Sequence, residues 1–357
     1  MSALPPGSTI GILGGGQLAR MLVLAAASLG LKCKIFAPEL DSPAFQVSDS
    51  HLVANYGDEA ALLEFAAEVD AITYEFENVP VAAVTFLEKL KPVRPGSKAL
   101  RVAQDRLNEK NLARDMGAMT AGFVGVNSQE ELRKAVKNVG LPAILKTVRF
   151  GYDGKGQAKI LNPDDVEPAW AALKGAPAIL ESFVNFDKEI SVICARGVDG
   201  QFAAYEPVEN VHRNHILYTS TVPAKIDDMM AIEAVYLAQR MAETLDYVGV
   251  MGVEFFVGGA GLYVNEIAPR VHNSGHWTQN ACVISQFEQH MRAVAGWPLG
   301  VTTRHSDVVM TNLLGDEADN WQVLAAQPDV GLHLYGKAES RPGRKMGHFN
   351  RITPRQG

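Results

Sequence analysis

Apolar runs of strand length alternate with helical periodicity along the first hundred residues. Thr9–Leu13 is a continuous apolar run, Gly14, Gly15 and Gly16 force a tight turn, and residues 17–29 carry an apolar helix stopped by Gly30. Residues 32–37 form a second strand, so the chain opens with a βαβ unit. A helix over 58–69, a strand over 71–74, a polar loop over 75–80 and a helix over 81–90 extend it, and Pro92, Pro95 and Gly96 mark a boundary. Residues 100–116 read as one charged amphipathic helix, 123–126 as a strand and 129–138 as a helix capped by Ser128.

The pattern then shortens. Residues 143–147 and 158–161 are strands on either side of a glycine-rich loop, which predicts a hairpin. A helix near 167–173 and a strand over 178–184 follow, the strand running into a connector. Residues 189–195 and 201–207 alternate as antiparallel strands, with 209–215 as the link to the next run. A long helix over 226–245 precedes strands over 247–257 and 262–267, which turn at 258–261. Beyond Trp297 come a strand at 308–313, a helix near Trp321 and a strand at 333–335. The fold class is therefore α/β at the start and α+β after it.

With 357 residues, 47% of them hydrophobic and 20% charged, the chain is a globular protein large enough for two or three domains. A net charge of −7 argues against nucleic acid or an anionic membrane as the main partner, so any anionic ligand must be met by locally clustered Lys and Arg. Cys33, Cys194 and Cys282 are scattered in apolar surroundings and fit reduced thiols. Residues 1–9 lack a basic export signal and no apolar run is long enough to span a bilayer, so a cytoplasmic protein without a membrane segment is expected.

Several stretches carry candidate chemistry. In the hairpin, Gly151, Gly154 and Gly156 let backbone N–H groups approach an anion, with Lys146 on the strand and Lys155 in the loop as fixed cations. The spacing is not that of a P-loop, and an ordinary glycine-rich turn accounts for the same residues. Gly14, Gly16 and Ala19 match a short dinucleotide fingerprint, with Glu39 where an acidic ribose contact would fall; the same pattern arises wherever a strand turns sharply into a helix. Glu75 and Asn78 lie at the C-terminal end of a strand, the edge where open parallel sheets bind ligands. Arg106 faces either a phosphate or solvent.

A turn centred on residues 258–261 sets Glu254 and Glu266 nearly opposite on one face of a hairpin, where their repulsion invites a divalent cation; a salt bridge from one of them to Arg270 is the alternative. The run from Asn265 to Thr278 is dense in polar side chains, and Ser274 and Gly275 are placed at a helix N-terminus suited to an anion. Arg341, Arg344, Lys345 and Arg351 form a local basic cluster or a solvated tail.

Taken together, the βαβ start, the Lys-bearing hairpin with its glycine-rich lid, the connector and the opposed Glu pair followed by Pro269 and Arg270 resemble the ATP-grasp ligases. Within them the chain is similar over its whole length to the 5-(carboxyamino)imidazole ribonucleotide synthases of purine biosynthesis. The most specific segments are residues 74–80, 150–157 and 265–278. Ala268 stands where many ATP-grasp relatives place a metal-binding Asn, and is typical of this family. Lys155 stands where many members have Arg, and Val271 where Pro is common.

The resemblance implies an N-terminal Rossmann-like (pre-ATP-grasp) domain over residues 1–98, an ATP-grasp domain over 99–298 with a lid subdomain at about 120–185, and a small C-terminal domain over 299–357. It implies ATP on Arg106, Lys146, Gly151, Tyr152, Asp153, Gly154, Lys155, Gly156, Gln157, Glu181, Ser182, Phe183, Val184, Glu189, His212, Asn265 and Glu266, and Mg2+ on Glu254 and Glu266. Catalysis would fall to Asp153, Lys155, Arg270, His272 and Lys345. Gln17, Glu75, Tyr152, Arg270, Asn273, Ser274, Lys345 and Arg351 would hold the substrate.

The implied enzyme is a homodimer that carboxylates 5-aminoimidazole ribonucleotide with bicarbonate and MgATP, and hands its product to a downstream mutase. Arg270 and Lys345 would hold the intermediate, and either Asp153 or His272 would manage the amine proton. The rivals are a formate-dependent glycinamide ribonucleotide transformylase, a nicotinamide oxidoreductase built on Gly14–Gly16, and a non-catalytic nucleotide-binding module.

Overall fold

The computed structural model describes residues 3–149, 151 and 156–356. The opening βαβ unit grows into a four-stranded parallel sheet in the order Ser50–Val53, Lys32–Ala37, Thr9–Leu13, Ala71–Tyr74. The apolar strands leave both faces to be covered, as parallel sheets require. Leu62, Phe65, Val84 and Leu87, from the helices Glu59–Ala67 and Val81–Leu87, cover one face. The helix Gln17–Ser28 covers the other and packs through Leu22 and Val23 against Met291 and Val294 of Gln286–Ala295. The edge strand Ser50–Val53 has no apolar run to announce it, and its side chains are largely exposed.

A second sheet is antiparallel, in the order Phe123–Val126, Ala178–Ser182, Ala143–Thr147, Gln157–Ile160. Period-2 alternation divides its faces: Leu145, Ile160 and Leu180 pack under two helices, while Ile144, Lys146, Gln157 and Lys159 face outward.

The third sheet has nine strands. From the strand Gly261–Ala268 it passes through Gly249–Gly258, Phe186–Arg196, Val208–Arg213 and Ile216–Val222, and it continues without a break into Ser306–Leu314, Lys345–Pro354 and Val330–Leu334. The short strand Phe202–Ala204 pairs beside Phe186–Arg196. The long helix Asp228–Thr244 covers one face and Gln286–Ala295 the other.

His290 joins two of the sheets. Its Nδ1 accepts from Val250 N at 3.0 Å, which places the proton on Nε2, 2.8 Å from Thr73 Oγ1. Burial holds its pKa down at about 3, so the bridge is neutral.

Three expectations are corrected. Residues 100–116 are not one helix but two, Ser97–Ala103 and Arg106–Asp115. Asp105 breaks the run by accepting from Leu107 N and Asn108 N at 3.0 and 3.1 Å, and Gln104 donates to the carbonyls of Glu77 and Val79. The expected link at 209–215 is mostly the strand Val208–Arg213, whose inward Asn210 bonds Ser191 and Ser220. Ser274 and Gly275 belong to the three-residue 3-10 turn Asn273–Gly275, capped by His272, rather than to a helix start. No helix among the described residues is long and apolar enough to cross a membrane.

Candidate active site

A cavity of about 690 Å³ lies where the three sheets meet, within the size range of ligand sites. Its roof is the outward face of the small sheet, where Lys146, Gln157 and Phe183 line it. Its floor is the long sheet, which contributes Glu189, His212, Glu254, Asn265 and Glu266. Gln17 and Glu75 approach from the N-terminal sheet, Arg270, His272 and Asn273 from the turn after the floor strands, and Lys345 from the C-terminal strands. Arg106 and Gly151 close one side, with Arg106 Nη2 3.5 Å from the Gly151 carbonyl. Gly156 sits just behind Gln157 with a φ of +72°, where a Cβ would meet Thr147 Oγ1 at 2.7 Å; glycine is required there. Tyr152, Asp153, Gly154 and Lys155 lie outside the described residues.

The floor pairing is as the turn dictates: Glu254 and Glu266 stand opposite each other in the ladder between their two strands. Burial, and then the facing Glu266, pushes Glu254 up to about 8. Neither carboxylate reaches Arg270. Glu266 pairs with Arg106 at 3.3 Å and Glu254 with His272 Nε2 at 3.3 Å, whereas Arg270 pairs with Glu77 of the N-terminal loop. Two facing carboxylates open to a cavity fit a hard divalent ion that completes its shell with phosphate oxygens and water. The described residues hold no group of three or more such ligands.

Behind the floor lies an ionic cluster that the polar appearance of residues 100–116 hides. The helix Arg106–Asp115 turns Arg106, Glu109 and Lys110 inward, onto the strand that carries Glu266. Glu109 accepts from Ile267 N at 2.5 Å, and Lys110 donates to the carbonyls of Val264 and Asn265 at 3.2 and 2.8 Å. Glu181 joins this cluster to the roof, 2.7 Å from Lys146 and 3.8 Å from Lys110. Burial opposes its charge, but the two lysines prevail and hold its carboxyl below the usual range. Glu109 is pushed up to about 8, by burial first and Glu266 second. On the opposite side, His212 and Glu189 pair at 3.3 Å; burial disfavours the imidazolium, yet Glu189 raises its pKa overall.

Glu181, Ser182, Val184, Ser274 and Arg351 do not line the cavity. Glu181 and Ser182 lie in the strand leading to the connector, where Ser182 N bonds the Gly122 carbonyl at 2.7 Å and Phe183 N that of Pro142 at 3.0 Å. Ser274 is fully buried, with Oγ 2.6 Å from Ser191 Oγ and 2.8 Å from His272 Nδ1, so it orients the imidazole. Arg351 points away, onto Asp329 at 2.6 Å and Gln327.

Glu75 lines the cavity but is turned onto the N-terminus of Gln17–Ser28, where it accepts from Gly16 N and from Ala19 N at 2.9 Å. A Cβ on Gly14 or Gly16 would strike it at 2.5 or 2.7 Å. The anion seat of the glycine turn is thus filled by the chain's own carboxylate, which removes the physical basis for a dinucleotide there.

The sequence reading also missed Lys159, Phe186, Phe256, His276 and Tyr335, which share the lining. Phe186 and Phe256 stack at 4.4 Å; Phe256 lies two residues beyond Glu254 on the same strand, which was the available signal.

Comparison with known proteins covers nearly the whole chain. Residues 8–104 match a ribonucleotide synthetase preATP-grasp domain, 111–287 an ATP-grasp domain and 308–356 a phosphoribosylaminoimidazole carboxylase C-terminal domain. The chain is 52% identical to N5-carboxyaminoimidazole ribonucleotide synthase of Brucella melitensis, covering 99% of both, and 43% identical to that of Bacillus subtilis, covering 96% of this chain and 91% of the relative. Among solved structures, an ADP complex of such a synthetase matches with a TM-score of 0.95 at 42% identity, covering 99% of this chain and 94% of the other. The enzyme from Aspergillus clavatus with ADP and 5-aminoimidazole ribonucleotide matches with a TM-score of 0.91 at 31% identity, covering 98% and 94%.

Proposed function

The chain belongs to the N5-carboxyaminoimidazole ribonucleotide synthase family of ATP-grasp ligases, and from that we propose that it carboxylates the amine of 5-aminoimidazole ribonucleotide, using ATP and bicarbonate. The observation that carries this reading is the opposed pair Glu254 and Glu266 on the cavity floor, facing Lys146 on the roof. An ATP-dependent carbon–nitrogen ligase needs positive charge around a migrating phosphoryl group. Mg2+ held by Glu254 and Glu266 would neutralise phosphate charge. Lys146, kept in place by Glu181, supplies a fixed cation from above.

Bicarbonate is a poor electrophile until ATP converts it to carboxyphosphate, which water would destroy. The glycine-rich run 150–157, expected as a lid and mostly outside the described residues, would answer that need. Arg106, Gln157, Phe183, Glu189, His212 and Asn265 serve the nucleotide in this reading, with Glu181, Ser182 and Val184 forming the connector beside its base. Arg270, His272, Asn273 and Lys345 serve the carboxyl group and the ribonucleotide; Gln17 approaches from the N-terminal side.

His272 is neutral, its pKa held well below the ordinary range by burial and then by Arg270. Its Nδ1 accepts from Ser274 N at 3.3 Å, so its Nε2 proton is directed at Glu254. That geometry favours His272 as an orienting group and leaves the amine proton to Asp153. Glu75 fits a structural cap better than a substrate contact, and Arg351 a contact that ties down its strand. Domain limits at residues 98 and 298, a homodimer, cytoplasmic residence and hand-off of the labile product to a mutase complete the proposal.

The test is ADP release from MgATP and bicarbonate, with and without the ribonucleotide, for the wild type and Glu266→Gln. Release that depends on the ribonucleotide and collapses in the variant supports the reading. Release only with glycinamide ribonucleotide and formate would replace the substrate assignment, and ATP binding without turnover would leave a non-catalytic module.

A further inference from the structure

Beside Lys345 a column of rings leads away from the cavity. His276 lies against His348 with centroids 4.7 Å apart, and His348 stacks on His333 at 4.6 Å. His276 opens the column at the cavity wall, and the chemistry proposed above leaves it without a role. Its tautomer follows from its neighbours. The backbone N–H of His272 can only donate, and does so to Gln286 Oε1 at 2.9 Å; the His272 carbonyl can only accept, and does so from Gln286 Nε2 at 2.8 Å. These two bonds settle which end of the amide is nitrogen. The remaining Nε2 hydrogen meets His276 Nδ1 at 2.9 Å, so Nδ1 is an acceptor and the ring proton sits on Nε2. That Nε2 finds no acceptor among the described residues, and unlike Nε2 of His348 it is not sealed off.

The surroundings keep the ring neutral. Burial, followed by His272, His333, Lys345 and Arg270, holds its pKa well below the ordinary range. The other groups packed on it carry no negative charge: His348 is likewise kept neutral by burial, Tyr335 bonds His348 Nδ1 at 2.8 Å, and Phe287 is apolar. Asn350 Nδ2 donates to the His276 carbonyl at 3.0 Å and ties the C-terminal strands to this wall.

Building on the carboxylation reading, we propose that His276 is a fixed Nε2–H donor to an oxyanion of the substrates other than ATP, either the carboxyl group in transfer or the ribonucleotide phosphate, and that it relays no proton. Removing a bond of this kind costs about 10- to 100-fold in binding.

The experiment compares wild type, His276→Phe and His276→Gln, varying each substrate in turn. A KM for the ribonucleotide raised about tenfold or more in His276→Phe, with the KM for ATP unmoved, supports the phosphate as acceptor. A raised KM for bicarbonate or a lowered kcat, again with the KM for ATP unmoved, supports the carboxyl group. Partial recovery in His276→Gln, whose amide N–H can stand near the lost Nε2, supports either. Unchanged constants overturn the proposal, and so does a wild-type to His276→Phe ratio of kcat/KM that bends between about pH 6 and about pH 8.5 instead of staying level.

Should His276→Phe fail to fold, nitrogen-15 spectra of the histidine-labelled full chain with MgADP decide the matter. A neutral Nε2–H histidine that persists over that range and vanishes in His276→Gln supports the proposal; titration overturns it. Wild-type turnover with the ribonucleotide is measured alongside. Its absence overturns the carboxylation reading and this proposal together, whereas its presence with unaffected variants overturns this proposal alone.

Discussion

Two parts of this chain are built to attract charge, and they have opposite fates. At Gly14–Gly16 a helix N-terminus presents backbone N–H groups as an anion seat, and Glu75 fills it from across the same domain. On the floor of the cavity two carboxylates face each other in register, Glu266 paired with Arg106 and Glu254 with the neutral His272. One set of charges is satisfied within the fold and the other is left in want of a ligand. The sequence motif is more familiar at the first, but the proposed chemistry falls at the second, because unbalanced charge at a cavity is what a ligand can relieve.

The largest expected break in this contrast comes on the unsatisfied side. Replacing Lys146 by Met should lower ADP formation by about a hundredfold, since a fixed cation at a migrating phosphoryl group contributes about 3 kcal/mol. A Lys146→Met enzyme with wild-type kcat and KM for ATP would remove Lys146 from the phosphoryl site. On the satisfied side the effect should fall on stability. Glu75→Ala strips the acceptor from two N–H groups at the helix start and should cost about 2 kcal/mol in urea unfolding. It should also open the seat, so that sulfate raises the midpoint of the variant more than that of the wild type; equal responses would mean that Glu75 was not occupying an anion position.

A smaller effect concerns the neutral bridge between the two regions. Burial depresses the pKa of His290 from 6.5 to about 3. A depressed imidazole contributes stability that is complete above the unfolded pKa near 6.5 and is lost as the pH falls towards about 3. Stability should therefore decline below about pH 6.5, by up to about 1.4 kcal/mol per pH unit from this residue, and His290→Gln should flatten that slope. An unaltered slope in the variant would assign the acid sensitivity elsewhere.

The parts of the site that could be read from sequence rest on fixed periods. The turn at residues 258–261 dictates that Glu254 opposes Glu266, and period 2 in the hairpin dictates that Lys146 faces away from Leu145. What escaped obeys no such rule. Glu109 and Lys110 look like a solvated helix face, yet Glu109 is 2% and Lys110 1% exposed, because both are satisfied by the backbone of the strand that carries Glu266. The strand Val208–Arg213 hides behind its polar residues, since its inward Asn210 is satisfied by two serines rather than by apolar packing. The column of His276, His348 and His333 draws on three distant stretches and becomes a unit only when the strands pair. Glu75 sat where a ligand contact was expected, and only the geometry of Gly16 revealed that its partner is the backbone.

The unbroken nine-stranded sheet has a consequence for how the chain is made. The outer edge of Ile216–Val222 is hydrogen-bonded to Ser306–Leu314, and that strand in turn to Lys345–Pro354. During synthesis from the N-terminus, this edge stays bare until the strand Ser306–Leu314 has left the ribosome. An exposed strand edge is a template for aggregation. Truncation before Ser306 should therefore yield insoluble protein rather than a smaller active enzyme, and slow emergence of these late strands is the step at which a nascent-chain chaperone would matter most.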